Sequence, residues 1–517
     1  MAENLLPRIE EHPDRVAMTD DHGSTTWADA NDRVNRLIHA FRDAGIGTGD
    51  RVAILSNNRR EMFEAVNAAG HSGTYSVPMN WHFAAEEIRY VLEDSGSVAL
   101  VADHEFADAA AEASAGVDLR LRTMFGGEPP DGFVEYEELL ASAPGGEPAD
   151  QSSGSTMFYT SGTTGRPKGV KSSLIPVGSP ASTLQFVLEA FGGILRFPKG
   201  GDCLVMAPAY HSGPFATAIV AAALGSTVHL RRKFDPEDML RVIEELRITS
   251  AYAVPTHFVR LLRLPDEIKQ KYDVSSLGYV LHTAAPCPPE VKKAMIEWWG
   301  PVIFEGYGAT EGGFVTFVSS QEYLDKPGTI GTVLPTHELL VVGEDGEHLG
   351  TGEVGQLYFR SVMGTDFEYH NAPEKTEEAH LEPGVFTFGD VGYVDDDGFV
   401  FLSDRKIDMI ISGGVNIYPA EIESVLVTHP AVADVAVFGV PNEEFGEEVK
   451  AVVELAEGTE PSDETAAEIQ RFCREHMAGY KVPRSVDFVD VLPRTPTGKL
   501  LKRTLRDPYW EAAGRAI

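Results

Sequence analysis

The 517-residue sequence predicts an α/β protein with a large N-terminal domain and a small α+β C-terminal domain. Three observations support this prediction. Hydrophobic residues make up 43% of the chain, which is enough to fill large cores. Before Gly331, short apolar runs alternate with amphipathic stretches, and after it glycine and aspartate turns separate the apolar runs. The large domain is therefore expected to combine layered α/β subdomains with a β-rich subdomain.

The first part of the chain has the alternation that is typical of a largely parallel sheet covered by helices. Buried strands are expected at residues 51–56 and 98–102, with helices at 61–69 and 84–92. The same alternation resumes later, where strands are expected at residues 202–206, 226–230, 250–254 and 279–281. Residues 126–155 are rich in Gly, Pro, Glu and Ser, which predicts a surface excursion between these two regions.

At Gly331 the pattern changes to short apolar runs separated by turn residues, which is typical of antiparallel strands and hairpins. The runs lie at residues 338–342, 355–359 and 398–402. After Asp404, helices are expected at 420–428 and 463–476, and strands at 432–440 and 450–455. These elements make a compact α+β unit, so we place the boundary at 403/404, between an N-terminal domain of residues 1–403 and a C-terminal domain of residues 404–517.

The composition excludes several classes of protein. The chain has 43 Lys and Arg against 79 Asp and Glu, a net charge of −36, which argues against binding nucleic acid or anionic lipid over a broad surface. Its longest apolar stretch, residues 218–224, is far shorter than the ~20 residues that span a bilayer, and no secretory signal is visible at Met1. The three cysteines are far apart and predict neither a disulfide framework nor a metal site. We therefore expect a cytoplasmic protein without a membrane span or a nucleic-acid partner.

The segment Tyr159–Val170, with the sequence YTSGTTGRPKGV, has the composition of a phosphate-binding loop. Glycines let backbone N–H groups approach phosphate oxygens closely, hydroxyl side chains donate further hydrogen bonds, and a lysine adds positive charge. It is not a Walker A loop, because Arg166 and Pro167 separate Gly165 from Lys168 and no G-K-[ST] follows. The residues expected at the phosphates are Thr160, Ser161, Gly162, Thr163, Thr164, Gly165 and Lys168.

This loop resembles the phosphate-binding loop of the adenylate-forming (ANL) superfamily, which includes the acyl-CoA synthetases, or AMP-dependent ligases. Four more segments resemble motifs of that family in the same order: EGYGATE at 305–311, FGDVGY at 388–393, the hinge segment at 403–421, and PRTPTGK at 493–499. Five ordered motifs leave little room for chance agreement. The resemblance covers essentially the whole chain, and it implies that the small C-terminal domain is mobile.

The chemistry of carboxylate activation agrees with the residue types in these motifs. ATP and a carboxylate are both anions, so their reaction needs cations and a metal ion at the α-phosphate. Glu311 is a hard oxygen ligand suited to Mg²⁺, and Thr310 offers a hydroxyl group to the phosphate. Lys499 follows a turn that contains glycine and can bridge the carboxylate and the phosphate as a mobile point charge. These three residues are the predicted catalytic group.

The resemblance also implies how the nucleoside is held. Asp390 accepts hydrogen bonds from the ribose hydroxyls, Arg405 reinforces that contact, and Tyr307 lies against adenine. Phe388 departs from the family pattern, because many members have a threonine before Gly-Asp. The other residues expected at the nucleotide are Ala284, Ala285, Pro286, Glu305, Gly306 and Gly308.

The acyl pocket is expected around the segment PAYHSGP at residues 208–214, which resembles the family's Pro-x-x-His stretch. The pocket residues implied are Tyr210, His211, Gly306 and Ala309. In the family, enzymes that activate amino acids carry a binding aspartate after this stretch, whereas residues 215–220 are here FATAIV. This apolar segment favours a hydrophobic acid without an α-amino group.

The sequence thus predicts an AMP-forming acid–thiol ligase that uses ATP, Mg²⁺ and coenzyme A. The acid and MgATP first give an acyl-adenylate and pyrophosphate. The small domain then rotates about a hinge at Lys406 and Ile407, which withdraws Lys499 and brings the loop at Gly413 and Gly414 to the route of the CoA thiol.

Several alternatives stay open at this point. A stand-alone adenylation enzyme would load the phosphopantetheine of a carrier protein, although we expect no carrier domain after residue 517 and therefore favour free CoA. A luciferase-like oxidase would share the adenylate, and a regulatory protein would bind the nucleotide without reaction. The acid itself is open among fatty, aryl and terpenoid acids. The oligomeric state is open as well, with a homodimer as the prior expectation.

Positive charge concentrates where phosphates are expected, in spite of the acidic total. Arg166, Lys168 and Lys171 flank the loop, and five basic residues lie between Arg494 and Arg506, where no acidic one is present. The run Arg-Arg-Lys at 231–233 is a hypothetical contact for the 3′-phosphate of CoA. The alternative for this run is an ordinary solvated cluster of charges.

Overall fold

The structure, a computed structural model, describes residues 12–160, 167–343, 345–405, 408–412, 415–442, 445–494 and 500–512. The side chains of residues 404, 405, 416 and 512 are not described. None of the described helices is long and apolar enough to cross a membrane.

The first region consists mainly of a parallel α/β layer, although its first two strands form an antiparallel pair that joins the large sheet. Its strands are β1 (Val16–Asp20), β2 (Gly23–Thr26), β3 (Arg51–Leu55), β4 (Tyr75–Met79), β5 (Ala99–Asp103), β6 (Leu121–Phe125), β7 (Val134–Glu135), β8 (Ser155–Thr156) and β9 (Phe158–Thr160). Its helices are α1 (Trp27–Asp43), α2 (Arg60–Ser72), α3 (Ala85–Ser95), α4 (Ala107–Ser114) and α5 (Tyr136–Ser142). Six strands pair in parallel in the order β7-β6-β5-β3-β4-β8. This sheet confirms the parallel arrangement that the alternation predicted.

The second region continues the alternation. Its strands are β10 (Lys168–Ser172), β11 (Asp202–Val205), β12 (Thr227–Leu230), β13 (Ser250–Ala253), β14 (Tyr279–His282), β15 (Ile303–Ala309) and β16 (Gly313–Val318). Its helices are α6 (Ala181–Ile194), α7 (Ser212–Ala223), α8 (Pro236–Leu246), α9 (Pro255–Leu262), α10 (Asp266–Lys269) and α11 (Pro289–Trp299). Strands β12, β11, β13, β14 and β15 are neighbours in that order and all parallel, whereas β16 is antiparallel to β15.

The third region is rich in antiparallel strands, as predicted. It contains β17 (Gly331–Val333), β18 (His337–Val342), β19 (Gly355–Ser361), β20 (Phe367–Tyr369), β21 (His380–Glu382), β22 (Val385–Phe386), β23 (Asp390–Val394) and β24 (Phe399–Arg405), with helices α12 (Ser320–Asp325) and α13 (Pro373–Glu378). Most of these strands extend the sheet of β15 and β16 through β17, β24, β23 and β19. Strand β20 instead joins β10 and β9 in a small antiparallel sheet.

The C-terminal region forms a separate α+β unit. It contains β25 (Ile410–Ser412), β26 (Val415–Ile417), β27 (Val432–Asn442), β28 (Gly446–Leu455) and β29 (Ser485–Val489), with helices α14 (Pro419–Leu426), α15 (Asp463–His476) and α16 (Lys502–Ala512). Its sheet has the order β26-β25-β28-β27, and β29 pairs in parallel with β28. Apolar residues of β27, β28, α14 and α15, such as Val437, Ala451, Ile422 and Ile469, form its own core.

Local sequence explains why helix α1 forms. Thr26 caps its first turn, because the side-chain Oγ1 accepts a hydrogen bond from the backbone N–H of Asp29 at 3.1 Å. The residues Val34, Leu37, Ile38 and Phe41 follow at helical spacing and are all buried. The helix therefore presents one apolar stripe to the core.

The surface excursion predicted for residues 126–155 is wrong in part, because the segment contains β7 and α5. Tyr136 is fully buried, and its hydroxyl donates a hydrogen bond to Glu64 Oε2 at 2.9 Å. Glu135 caps the helix by accepting a hydrogen bond from the backbone N–H of Glu138 at 2.7 Å. The glycines and prolines on both sides of this short helix hide it from a compositional prediction.

The predicted domain boundary at 403/404 falls inside β24. That strand pairs with β17 and β23 of the large sheet, whereas β25 pairs with β26 and β28 of the C-terminal sheet. The chain therefore changes sheets between Arg405 and Ile410. The division into two domains stays a prediction.

Candidate active site

A cleft of about 2390 Å³ lies at the carboxyl ends of the parallel strands of the large sheet. Met206, Arg232, Pro255 and Thr283 line it, and each of them follows closely after one of the strands β11 to β14. Residues of the C-terminal region, among them Val491–Arg494, line it too. Open α/β sheets bind their ligands at this edge.

Two segments predicted to flank adenine lie side by side in the cleft. Strands β14 and β15 pair in parallel, with His282 opposite Glu305. The residues of both segments that line the cleft are Ala284, Ala285, Pro286, Glu305, Gly306, Tyr307, Gly308 and Ala309. Ala284 has a φ of 78°, a left-handed conformation that a non-glycine residue rarely adopts. Such strain is common at ligand-binding turns.

Asp390 and Tyr307, which come from different motifs, are in direct contact. The Tyr307 hydroxyl donates a hydrogen bond to Asp390 Oδ2 at 2.5 Å, and Asp390 is only 6% exposed. Arg405 lies opposite Asp390 in the antiparallel pairing of β23 with β24. The structure thus brings together the backbone positions of the three residues predicted for the ribose and the base.

Phe388 is part of an aromatic cluster rather than a donor to phosphate. Its ring stacks on Phe359 with centroids 5.6 Å apart and contacts Tyr307 edge-on at 5.9 Å. A hydroxyl group is present one residue earlier, at Thr387. Its Oγ1 accepts a hydrogen bond from the backbone N–H of Gly389 at 3.0 Å. This cluster fixes the tyrosine that contacts Asp390.

Tyr369 joins two predicted site residues that are far apart in the sequence. Its hydroxyl donates a hydrogen bond to Glu311 Oε1 at 2.8 Å, and Lys168 Nζ lies 5.8 Å from the centroid of its ring. Burial, together with the charge of Lys375, lowers the pKa of Lys168. Tyr369 is opposite Val170 in the pairing of β20 with β10. Sequence reasoning missed Tyr369, because no motif includes it.

Ser212 connects the predicted acyl segment to the catalytic motif. Its hydroxyl oxygen lies 3.0 Å from the Thr310 hydroxyl oxygen. His211 is the N-cap residue of α7, and its ring centroid lies 4.3 Å from that of Tyr210. Tyr210 is buried, which raises the pKa of its hydroxyl. The hydroxyl contact of Ser212 is a second feature that the motifs did not indicate.

Close packing explains the small residues at 306 and 308. A Cβ atom at Gly308 would lie 1.9 Å from the carbonyl oxygen of Gly313 on the facing strand, and one at Gly306 would lie 2.7 Å from the ring of Phe314. The space on that side of Gly306 is therefore filled by Phe314. The assignment of Gly306 and Ala309 to the acyl pocket stays a prediction.

A buried charged cluster lies directly beneath Glu305. Lys292 Nζ is 2.5 Å from Glu305 Oε2, and His282 Nε2 is 3.6 Å from the same oxygen. Burial would raise the pKa of Glu305, but the charge of Lys292 and its hydrogen bond outweigh this effect and lower the pKa. Burial lowers the pKa of His282 to about 3, so its imidazole is neutral. The cluster therefore holds one ammonium group and one carboxylate.

Several basic residues expected near phosphates form ion pairs instead. In the C-terminal region the pairs are Arg494 with Asp434, Lys502 with Glu423 and Arg503 with Asp507. In the run at 231–233, Arg231 lies near Asp21 and Arg232 pairs with Glu105. Lys233 is exposed and forms no ion pair within the part of the chain that the structure describes. The hypothetical contact with CoA therefore depends on Lys233.

A second, smaller cavity of about 160 Å³ has mostly apolar walls. Helices α2, α6 and α7 contribute Phe63, Leu184, Leu188, Phe215 and Ile219 to its lining. Phe215 lies one turn after His211 on α7, and its ring contacts that of Phe158 at 5.1 Å. The cavity is thus next to the strand that leads into the phosphate-binding segment.

The sequence model of the AMP-binding enzyme family matches residues 7–365, and that of the AMP-binding enzyme C-terminal domain matches residues 421–499. The chain belongs to the AMP-binding enzyme family. This result confirms the predicted membership of the adenylate-forming superfamily.

Relatives of the chain agree with this assignment along almost their whole length. The feruloyl-CoA synthase of Amycolatopsis sp is 35% identical over 94% of this chain and 94% of its own length. The long-chain-fatty-acid–CoA ligase FadD13 of Mycobacterium tuberculosis is 34% identical over 94% of this chain and 93% of its own. The crystal structure of the anthranilate CoA ligase AuaEII in complex with anthranoyl-AMP superposes with a TM-score of 0.89, at 25% identity, over 99% of this chain and 98% of that one. The predicted fold class is confirmed by this likeness.

Some predicted site residues lie outside the described part of the structure. They are Ser161, Gly162, Thr163, Thr164 and Gly165 of the phosphate-binding loop, Lys406 and Ile407 of the hinge, Gly413 and Gly414 of the CoA loop, and Lys499. Arg405 is described in its backbone alone. The two ends of the loop are described, and Thr160 lies opposite Lys168 in the pairing of β9 with β10.

The residues around Glu311 fit a magnesium ion that is shared with phosphates. Glu311 Oε1 accepts the hydrogen bond from Tyr369, and its other oxygen has no partner within the described residues. No group of three or more His, Cys, Asp or Glu that could hold a metal occurs in the described ranges. Mg²⁺ is commonly bound by one or two carboxylates together with substrate phosphates, which is the arrangement that Glu311 offers.

Proposed function

We propose that this chain is an ATP-dependent acyl-CoA ligase that activates a hydrophobic carboxylic acid. The acid becomes an acyl-adenylate with release of pyrophosphate, and the acyl group is then transferred to the thiol of CoA. The observation that supports the proposal most directly is the contact between Tyr307 and Asp390 in the cleft of an AMP-binding enzyme. It joins the predicted base-binding and ribose-binding residues in one nucleoside site.

In the first half-reaction, a carboxylate oxygen of the acid attacks the α-phosphorus of ATP, and pyrophosphate leaves. Thr310 donates a hydrogen bond from its hydroxyl group to the phosphate. Ser212 orients that hydroxyl group, because the two hydroxyl oxygens are 3.0 Å apart. Glu311 is the residue that would hold Mg²⁺, and the ion would supply charge stabilisation at the phosphates. Lys168 and Lys499 add positive charge where two anions meet.

In the second half-reaction, the thiolate sulfur of CoA attacks the carbonyl carbon of the mixed anhydride, and AMP leaves. The C-terminal unit rotates about residues 406–407 between the two steps. The rotation withdraws Lys499 and brings Gly413 and Gly414 to the thiol route. One cleft then serves two reactions with different anionic partners.

The apolar segment that follows His211 supports a hydrophobic acid. The small cavity beside α7, which Phe63, Phe215 and Ile219 line, is apolar as well, but none of the predicted pocket residues contributes to it. The residues after His211 provide no carboxylate for an α-amino group, because residues 215–220 are FATAIV. Fatty, aryl and terpenoid acids remain the candidates.

A pyrophosphate-release assay with a panel of acids tests the proposal. We expect release to require an acid from the fatty, aryl or terpenoid classes, and an acyl-CoA to accumulate when CoA is added. An acid-independent or absent release would contradict an adenylating enzyme. If a thioester forms on a phosphopantetheinylated carrier protein but not on CoA, the acyl acceptor is a carrier protein and not CoA.

Replacing Lys499 by Ala separates the two half-reactions. We expect Lys499→Ala to lower acid-dependent pyrophosphate release by about 100-fold or more, because one charge at the reacting phosphate is lost. The reaction of preformed acyl-adenylate with CoA should persist, since Lys499 is withdrawn in that step. Equal losses in both reactions would contradict the proposed rotation.

A further inference from the structure

Lys292 and Glu305 form an ion pair in the interior of the protein. Lys292 is 0% exposed on helix α11, and the side chain of Glu305 on β15 is 10% exposed. A buried ion pair is rarely the most stable choice, because well-packed apolar residues of similar volume are often as stable or more so. Stability alone therefore does not explain why two charges are buried beneath the nucleotide cleft.

The inner oxygen of Glu305 is enclosed on several sides. Lys292 Nζ donates a hydrogen bond to Oε2 at 2.5 Å, and it also lies 3.8 Å from the ring centroid of Tyr323. His282 is fully buried at 3.6 Å from the same oxygen, and neither of its ring nitrogens has a hydrogen-bond partner within the described residues. These contacts set both the charge and the orientation of the carboxylate.

The outer oxygen of Glu305 is differently placed. Oε1 has no hydrogen bond within the described residues, and Glu305 lines the large cleft. The next residues, Gly306 and Tyr307, line the same cleft, as does the turn from Thr283 to Pro286. The carboxylate thus joins Lys292 on its inner side to the predicted adenine site on its outer side.

We propose that Lys292 is a positioning residue that holds Glu305 so that Oε1 accepts a hydrogen bond from the 6-amino group of the purine. The pair thereby makes the enzyme select adenine nucleotides against 6-oxopurine nucleotides. The inference rests on the proposed function, because it uses the ATP site described there.

The selectivity follows from the hydrogen-bonding capacity of a carboxylate. An ionised carboxylate accepts hydrogen bonds and donates none. The carboxylate therefore accepts a hydrogen bond from an amino group at position 6 of the purine. A 6-oxo group has a partial charge of the same sign as the carboxylate and no donor, so the two repel and form no hydrogen bond. A carboxamide can accept from an amino group or donate to an oxo group, so it discriminates less. Sites built around one polar contact reject analogues that lack the partner group.

The test compares ATP with inosine triphosphate in acid-dependent pyrophosphate release, with kcat and KM measured for each nucleotide. For the wild type we expect a clear preference for ATP in kcat/KM. Glu305→Gln should lower the ratio of the two kcat/KM values by about 10-fold or more, chiefly through KM, because the carboxamide accepts either base. Lys292→Met should lower the ratio as well, because the carboxylate loses its partner and takes up a proton that can be donated to a 6-oxo group.

Two further variants control for loss of folding as the cause of a lower ratio. The double variant Lys292→Met/Glu305→Gln replaces the ion pair by neutral groups, so we expect it to fold even where a single variant does not, and its ratio should stay low. Lys293→Met, at the exposed neighbouring position on α11, should leave the ratio and the melting temperature unchanged.

The outcomes distinguish a failure of this inference from a failure of the proposed function. A wild type that uses inosine triphosphate as well as ATP overturns the inference without any variant. Folded variants that keep the wild-type ratio overturn it too, and leave Lys292 a structural residue. Absence of acid-dependent pyrophosphate release with any nucleotide would instead contradict the proposed function.

Discussion

Tyr369 holds one oxygen of Glu311 while its ring lies beside Lys168, so it connects the predicted metal ligand to the predicted phosphate-binding lysine. The motifs contain both of those residues but not the tyrosine between them. Its position depends on the pairing of β20 with β10, two strands that are far apart in the sequence. Such a contact becomes visible only when the sheet is known, because strand register is a long-range property.

Replacing Tyr369 by Phe removes one hydroxyl from the site. We expect Tyr369→Phe to raise the Mg²⁺ concentration for half-maximal activity by about 10-fold to 100-fold, since residues that orient a metal ligand contribute on this order. A titration of pyrophosphate release with Mg²⁺ at saturating acid measures the change.

Tyr358→Phe is the matched control for this prediction. The Tyr358 hydroxyl on β19 forms no hydrogen bond with the described residues, so its loss should leave the Mg²⁺ dependence unchanged. Equal Mg²⁺ titrations for Tyr369→Phe and the wild type would show that the hydrogen bond has no part in metal binding.

The hairpin of β15 and β16 is the element that presents the predicted catalytic motif. Thr310 and Glu311 lie in its turn, and the register shifts between Tyr307 and Gly308. The motif predicts that these two residues are functional, which stays a prediction, whereas the irregular pairing that orients them was not visible in the sequence. A bulge of this kind redirects side chains at the end of a strand.

Adding a methyl group at Gly308 should disturb this hairpin. A Cβ atom there would lie 1.9 Å from the carbonyl oxygen of Gly313, so the strands must separate. We expect Gly308→Ala to lower the free energy of unfolding by about 3 kcal/mol and to reduce acid-dependent pyrophosphate release strongly. Thermal unfolding and the release assay measure the two effects.

Gly47→Ala provides the comparison at an open position. A Cβ atom at Gly47 would meet no heavy atom within 4 Å, and its backbone is not left-handed. This variant should be neutral or stabilised by up to about 1 kcal/mol, because alanine reduces the entropy of the unfolded chain. Similar losses in both variants would mean that the hairpin does not depend on the close approach at Gly308.

Regular elements with a strong hydrophobic period were predicted well. The helix expected at 463–476 is α15 with the same bounds, and the strand expected at 51–56 is β3 (Arg51–Leu55). Elements with a weak period were missed, among them α5 and the small sheet of β9, β10 and β20. These elements are stabilised by packing against distant parts of the chain, as the burial of Tyr136 shows. The local sequence does not indicate such long-range contacts.

At the scale of the whole molecule, three buried histidines make stability depend on pH. Burial lowers the pKa of His71, His257 and His282 to about 3 each. The ordinary value in an unfolded chain is about 6.5, so between these values the unfolded state binds more protons. The contribution of these histidines to the free energy of unfolding is therefore fully present above about pH 6.5 and is lost as the pH falls toward 3.

We expect the melting temperature to fall steadily between pH 7 and pH 5. Each histidine contributes a slope of up to about 1.4 kcal/mol per pH unit, so His71→Gln should make the dependence shallower by one such amount. His348→Gln, at an exposed position, should keep the wild-type slope. Thermal unfolding at half-unit pH steps measures all three proteins, and an unchanged slope in His71→Gln would contradict the assignment.

The pairing of Asp390 with Arg405 across β23 and β24 has a consequence for the lifetime of the acyl-adenylate. Arg405 ends the last strand that the large sheet receives from the chain, and the C-terminal unit begins beyond it. In the proposed mechanism, rotation of the C-terminal unit about residues 406–407 exchanges the groups above the phosphate, while the ribose contact stays in register with the sheet. The mixed anhydride need not leave and rebind between the steps, so water has little opportunity to hydrolyse it before the thiol arrives.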